Sequence, residues 1–93
     1  MENGVINNEA GSRYELGIDG NIVSAAHYFI DGNTITFTHT ITVAAQRGRG
    51  YAAIVVRAAL DDARRRGLAV RAQCWFVADF IDAHGEYAAL LSA

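Results

Sequence analysis

The sequence predicts an α+β fold: an antiparallel meander of three strands, a strand–helix–strand crossover and a C-terminal helix. Three observations lead to this prediction. The first half is rich in β-branched residues and is divided by Asp-Gly-Asn at 19–21 and 31–33, which suits strand reversals. The apolar spacing then changes from a period of two to a helical period near residue 51. A short apolar run at 68–74 precedes a second helical pattern.

The predicted meander consists of three strands. Polar and apolar residues alternate over 13–18, as in a strand with one buried face. Residues 22–30 and 34–43 follow the two turns and are predicted to pair in succession. Because side chains alternate along a strand, four apolar side chains of the third strand are expected to share one face. These four are Ile35, Phe37, Ile41 and Val43.

The remaining elements follow the helical spacing. Ala52, Val55, Val56, Ala59, Leu60 and Ala63 form one apolar stripe. Gly67 follows the last turn as a stop signal. Residues 68–74 are predicted to form a fourth strand parallel to the third, because a helix connects the two. Residues 75–84 repeat the helical spacing, and several side chains here and beyond are expected to close the core. These are Trp75, Phe76, Phe80, Tyr87 and Leu91.

Length and composition limit the function classes. A chain of 93 residues with 52% hydrophobic residues is one small domain and is not disordered. Residues 1–12 have little apolar patterning and are predicted to be a flexible leader before a single domain at 13–93. The net charge of −2 gives no reason to expect nucleic acid or a membrane as partner. We expect a cytoplasmic protein without a metal site, either a monomer or a weak dimer.

The motif most informative about function is a hexapeptide at the predicted strand-to-helix junction. It is Arg47-Gly48-Arg49-Gly50-Tyr51-Ala52. Its glycines permit a tight turn and a close approach of the backbone to a ligand. The first turn of the helix directs unpaired N–H groups and a positive dipole end to the same place. The two arginines add bidentate cationic donors. The pattern therefore predicts an anion site, most naturally for a phosphate or pyrophosphate, and its alternative is a plain glycine turn with solvated arginines.

The hexapeptide and five further landmarks resemble the GCN5-related N-acetyltransferases, particularly a branch of about a hundred residues. The family signature is Gln/Arg-x-x-Gly-x-Gly/Ala, and Arg47, Gly50 and Ala52 occupy its defined positions. The other landmarks fall in family order over about residues 13–91. They are Arg13-Tyr14-Glu15-Leu16, His39-Thr40, Leu60-Asp61-Asp62-Ala63-Arg64, Cys74 with Phe76-Val77, and His84 with Glu86-Tyr87.

The resemblance implies acetyl-coenzyme A as ligand. Its pyrophosphate would rest on the backbone N–H groups of residues 47–52, and its pantetheine arm would enter between the third and fourth strands. The chain departs from the branch at Ile41, where an acidic or polar residue is usual, so one possible general base is missing. Trp75 and Gly85 replace family prolines, which makes the turns less rigid.

Two residues are candidates for the chemistry itself. Cys74 lies at the end of the fourth strand before a helix, where a thiolate is favoured and a covalent acetyl-cysteine becomes possible. Its alternative role is that of a small buried hydrophobe. His39 on the third strand is a candidate general base, or else a structural histidine.

The sequence therefore predicts an acetyl-coenzyme A-dependent N-acetyltransferase that acts on an unidentified amine. The alternatives are a coenzyme A-binding module with little transferase activity and a redesigned stability variant of the fold.

Overall fold

The computed structural model describes residues 4–92 and confirms the α+β class. Most predicted boundaries lie within two residues of the observed ones, and short 3₁₀ segments follow β4 and α2. The strands are β1 (Val5–Asn8), β2 (Arg13–Ile18), β3 (Asn21–Asp31), β4 (Thr34–Thr42) and β5 (Ala69–Ala72). The helices are α1 (Tyr51–Arg65) and α2 (Trp75–Ala83), and the 3₁₀ segments are Ala44–Gln46 and Gly85–Leu90.

The five strands form one sheet in sequence order. β1 to β4 are antiparallel neighbours joined by short connections. β5 pairs with β4 in parallel, because α1 carries the chain back across the sheet between them. The predicted crossover is thus present, and the predicted three-strand meander has a fourth strand at its start.

That additional strand, β1, makes the prediction of a flexible leader over 1–12 wrong for Val5–Asn8. Val5 is fully buried opposite Leu16 of β2. The amide oxygen of Asn7 accepts a hydrogen bond of 2.6 Å from the Tyr28 hydroxyl. Non-local pairing and one buried side chain therefore order a segment whose own apolar pattern is weak. The first three residues of the predicted leader lie outside the described residues.

β4 contains a bulge at Thr38. Odd-numbered side chains before the bulge and odd-numbered side chains after it point to opposite faces of the sheet. Tyr28 of β3 pairs with Phe37 and the preceding His27 pairs with His39, so Thr38 has no register partner. The bulge turns Ile41 to the sheet face opposite α1, where its side chain is 51% exposed, whereas Phe37 is buried. The prediction that Ile35, Phe37, Ile41 and Val43 share one face is therefore wrong.

α1 covers the other face of the sheet with the predicted apolar stripe, and Val55, Ala59 and Leu60 are fully buried. The helix starts after Gly50 and stops before Gly67, both with φ above +70°. Leu68 N–H donates to the Ala63 carbonyl at 2.9 Å, so the last turn is closed by a backbone cap. The fixed start of α1 positions the glycine turn that precedes it.

α2 and the 3₁₀ segment after it complete the core through Val77, Phe80 and Tyr87. The Tyr87 hydroxyl donates to Asp61 of α1 at 2.7 Å, which ties the C-terminal segment to the first helix. Trp75 is 73% exposed, so its predicted place in the core is wrong. The same prediction is wrong for Leu91, which is 45% exposed.

Candidate functional site

The candidate site opens where β4 and β5 separate. Their ladder ends at Phe37 and Ala72, and the backbone N–H groups of Gln73 and Cys74 both donate to the Phe37 carbonyl at 3.0 Å. β4 continues as far as Thr42 while the other chain turns into α2. A cavity of about 510 Å³ fills the gap. It is lined by residues 38–42, residues 73–76, Arg47 and Ala52.

The glycine turn reaches this cavity at the start of α1. Gly48 and Gly50 have φ of +82° and +76°, values that disfavour a side chain. A Cβ built on either glycine would meet nothing within 4 Å, so the backbone stands open on that side. Gly50 offers no side chain to cap α1, and the first N–H groups of a helix have no partner within it. The turn therefore combines a backbone surface open to a ligand with the positive dipole end of α1, which fits a pyrophosphate.

Arg47 connects the turn with the cavity. Its Nε donates to the Thr42 carbonyl at 3.4 Å, and its own N–H donates to the Ala44 carbonyl at 3.4 Å. That N–H belongs to the preceding 3₁₀ turn, so the donors free for an anion start after Arg47. Among the six residues predicted to bind the cofactor, Arg47 and Ala52 line the cavity. The intervening residues Gly48, Arg49, Gly50 and Tyr51 form the turn and the start of the helix.

Cys74 lies in the same cavity at the N-cap of α2 and is 7% exposed. Its Sγ atom is 3.4 Å from Oγ1 of Thr40, within hydrogen-bonding distance for sulfur. Thr40 faces the thiol because the bulge at Thr38 reverses the alternation of β4. The structure therefore places a hydroxyl beside the predicted nucleophile.

His39 lines the cavity, but its ring faces a different neighbour. The ring stacks on that of His27 with centroids 4.2 Å apart and planes inclined by 11°. Its Nδ1 is 3.1 Å from the Thr38 hydroxyl. Burial, and next the positive charges of His39 and Arg13, lower the pKa of His27 below 6.5. The two predicted catalytic residues thus share one cavity, while the hydroxyl beside Cys74 comes from Thr40.

Sequence reasoning missed two neighbours of these residues. Thr40 belongs to a landmark, yet its contact with Cys74 depends on a bulge that the spacing does not reveal. His27 has no partner in the sequence, because an unbroken hairpin register would place it opposite Thr38. Its observed partner is His39. In both cases the signal lies in the register rather than in the residue pattern.

Comparisons with known proteins identify the family of the chain. The sequence of residues 13–90 matches the family of GCN5-related N-acetyltransferases. The chain therefore belongs to the GCN5-related N-acetyltransferase family, and this family supports acyltransferase chemistry in general.

Solved structures include a similar fold. The solution structure of a GCN5-like protein from Staphylococcus aureus superimposes with a TM-score of 0.66 and is 22% identical. The match covers 100% of this chain and 92% of that chain. At this identity the likeness concerns the fold alone. No curated protein matches the sequence significantly.

Residues 4–92 contain neither a candidate membrane span nor a candidate metal cluster. No helix in this range is long and apolar enough to cross a membrane. Over the same residues, no three His, Cys, Asp or Glu side chains are grouped so that they hold a metal ion.

Proposed function

We propose that this protein is an acetyl-coenzyme A-dependent N-acetyltransferase. The supporting observation is the cavity between β4 and β5, which has the open glycine turn on one side and Cys74 on the other. Its volume of about 510 Å³ lies within the usual range for small-molecule sites. The pyrophosphate binds the N–H groups that start after Arg47, and the pantetheine arm runs between the separated strands toward Cys74.

The backbone at the bulge supports the transfer step. Thr38 has no register partner on β3, so this part of β4 can direct a donor at the thioester carbonyl. A tetrahedral intermediate places negative charge on that oxygen, and a preorganised N–H stabilises it. His39, exposed at the rim of the cavity, accepts the proton released by the amine.

Cys74 gives the reaction two routes. In the covalent route its thiolate attacks the acetyl carbonyl, coenzyme A leaves with the thiol proton, and the amine then attacks the acetyl-cysteine. In the direct route the amine attacks the thioester of acetyl-coenzyme A, and Cys74 is a wall of the pocket. The contact with Thr40 favours the covalent route, because its hydroxyl lies 3.4 Å from Sγ, where it either accepts the thiol proton or donates to the sulfur.

Calorimetric titration with acetyl-coenzyme A tests the site. Gly50→Val places a branched side chain on the open side of the turn, and we expect binding at least about tenfold weaker, a loss of about 1.4 kcal/mol. Gly32→Val is the matched control, since Gly32 also has a positive φ and open space around its Cβ position but lies in the β3–β4 hairpin. Equal binding by the wild type and both variants would reject the site.

The titration, combined with acetylation assays and thermal melts, separates the alternative functions. Tight binding that Gly50→Val abolishes, without acetylation of any amine in a broad panel, would support a coenzyme A-binding module. The exposed Ile41, in place of the family's polar residue, is the observation that favours this alternative. High thermal stability without coenzyme A affinity would support a redesigned variant of the fold.

A further inference from the structure

An exposed tryptophan stands beside a half-buried phenylalanine at the mouth of the candidate site. Trp75 follows Cys74 directly and is 73% exposed at the first position of α2. Its ring meets that of Phe76 edge to face, with centroids 5.9 Å apart. Both residues line the cavity that contains the Cys74 thiol. A tryptophan left in water contributes little to the core, whereas a flat aromatic ligand would cover it.

The charges of the cavity favour a neutral acceptor. Among the residues that line the cavity, Arg47 alone has a permanently charged side chain, and none is Asp or Glu. An alkylammonium entering beside Cys74 would lose water without a carboxylate counter-ion among the lining residues. A contact with the face of an exposed tryptophan is too weak to offset that loss.

An aromatic amine avoids this cost. Its nitrogen lone pair is delocalised into the ring, so the amine is neutral at physiological pH and needs no base before it attacks. Its ring also gains from stacking on Trp75. We propose that the acceptor of this site is a primary aromatic amine, held by Trp75 with its nitrogen toward Cys74. This inference rests on the proposed transferase function.

The bonds change in a defined order. The amine lone pair attacks the acetyl carbonyl, held either as the acetyl-Cys74 thioester or as acetyl-coenzyme A. The new C–N bond forms a tetrahedral intermediate, and the C–S bond then breaks with its electron pair on sulfur. The nitrogen loses a proton to the departing thiolate or to His39, and the product is a neutral aromatic amide.

Trp75 is the single tryptophan of the chain, so its fluorescence reports this site directly. The probe is acetanilide, which represents the product, and the matched aliphatic control is N-cyclohexylacetamide. We expect acetanilide to quench the emission saturably and the control to leave it unchanged. Equal effects of the two amides would contradict aromatic recognition.

Turnover provides the second measurement. With acetyl-coenzyme A, we expect kcat/KM for 4-methoxyaniline to exceed that for cyclohexylamine at least about tenfold. Trp75→Ala should lower kcat/KM for 4-methoxyaniline about tenfold, as loss of a stacking partner predicts, and leave the Kd of acetyl-coenzyme A unchanged. Trp75→Phe should retain most of the activity. The exposure of Trp75 makes both variants compatible with folding, which circular dichroism checks.

The outcomes separate the two proposals. Preference for cyclohexylamine, or a Trp75→Ala variant that loses acetyl-coenzyme A affinity instead of aniline turnover, would overturn the aromatic acceptor and leave the transferase standing. Absence of both acetyl-coenzyme A binding and acetylation would overturn the proposed function, and the aromatic acceptor with it.

Discussion

The imidazole ring of His27 stacks on that of His39, with ring centroids 4.2 Å apart. The pair joins β3 to β4 directly after the bulge, on the sheet face opposite α1. Arg13 and the Glu15 carboxylate are the other charged groups that act on His27. A positive charge on one ring therefore disfavours a second on its neighbour. The stack makes the stability of this part of the sheet depend on pH.

We expect this pair to weaken the fold in mild acid. Because the folded pKa of His27 lies below its ordinary value of 6.5, the unfolded chain binds the proton more readily. Stability is therefore full above pH 6.5 and falls as the pH drops through that value toward the lower folded pKa. In His27→Gln, the melting temperature should fall less between pH 7 and pH 5 than in the wild type. Parallel melting curves for the two proteins over this range would contradict the role of the pair.

Tyr14 and Asp62 form a buried hydrogen bond between the sheet and α1. The Tyr14 hydroxyl donates to Oδ2 of Asp62 at 2.6 Å, and burial, followed by this carboxylate, raises the pKa of Tyr14. We expect Tyr14→Phe to lower the free energy of unfolding by about 1.5–3 kcal/mol, the range for hydrogen bonds to charged groups. Urea denaturation measures this change.

The control for that variant is Tyr28→Phe. Tyr28 is also buried and donates at 2.6 Å, but its acceptor is the neutral amide of Asn7. The same atom is removed, so the expected loss is about 1 kcal/mol. Equal losses for the two variants would show that the charge on Asp62 adds nothing to the bond.

The ionisation of Glu15 is a second reason for the stability of the fold to depend on pH. Asn8 donates to its carboxylate at 3.0 Å and Arg13 forms an ion pair with it. These partners, Asn8 first, hold its pKa below the ordinary 4.5. The stabilisation is present above pH 4.5 and is lost as the pH falls through the lower folded pKa.

We expect Glu15→Gln to cost about 1–3 kcal/mol at pH 7, because the side chain is 6% exposed and its partners are left unmatched. The difference from the wild type should shrink as thermal melts are repeated toward pH 3. Glu86→Gln is the control, since the exposed Glu86 has a looser ion pair of 3.6 Å with Arg57 and should show little change at any pH. A Glu15→Gln deficit that persists at pH 3 would exclude the ionised carboxylate as its cause.

The sequence predicts the elements of this fold better than the orientation of the side chains. The turns at 19–21 and 31–33 and the apolar stripe of α1 are local signals. The structure has a strand reversal at both turns and a helix at the stripe. The bulge at Thr38 depends on pairing between strands, so the uniform β-branched pattern of β4 conceals it. The outward orientation of Ile41 and the contact of Thr40 with Cys74 both result from the bulge at Thr38. β1 likewise depends on Val5 meeting the core and not on its own pattern.

Variants of two side chains at the cavity, Cys74 and Thr40, distinguish the covalent from the direct route of acetyl transfer. Intact-mass measurement after incubation with acetyl-coenzyme A should give the wild type one additional acetyl group, and Cys74→Ala none. Thr40→Val removes the hydroxyl 3.4 Å from Sγ and should slow acetylation about tenfold, the effect of one lost hydrogen bond. Thr34→Val is the matched control, because Thr34 belongs to the same strand but does not line the cavity. Normal turnover of amines by an unmodified Cys74 would establish the direct route, since the thiol would then only line the pocket.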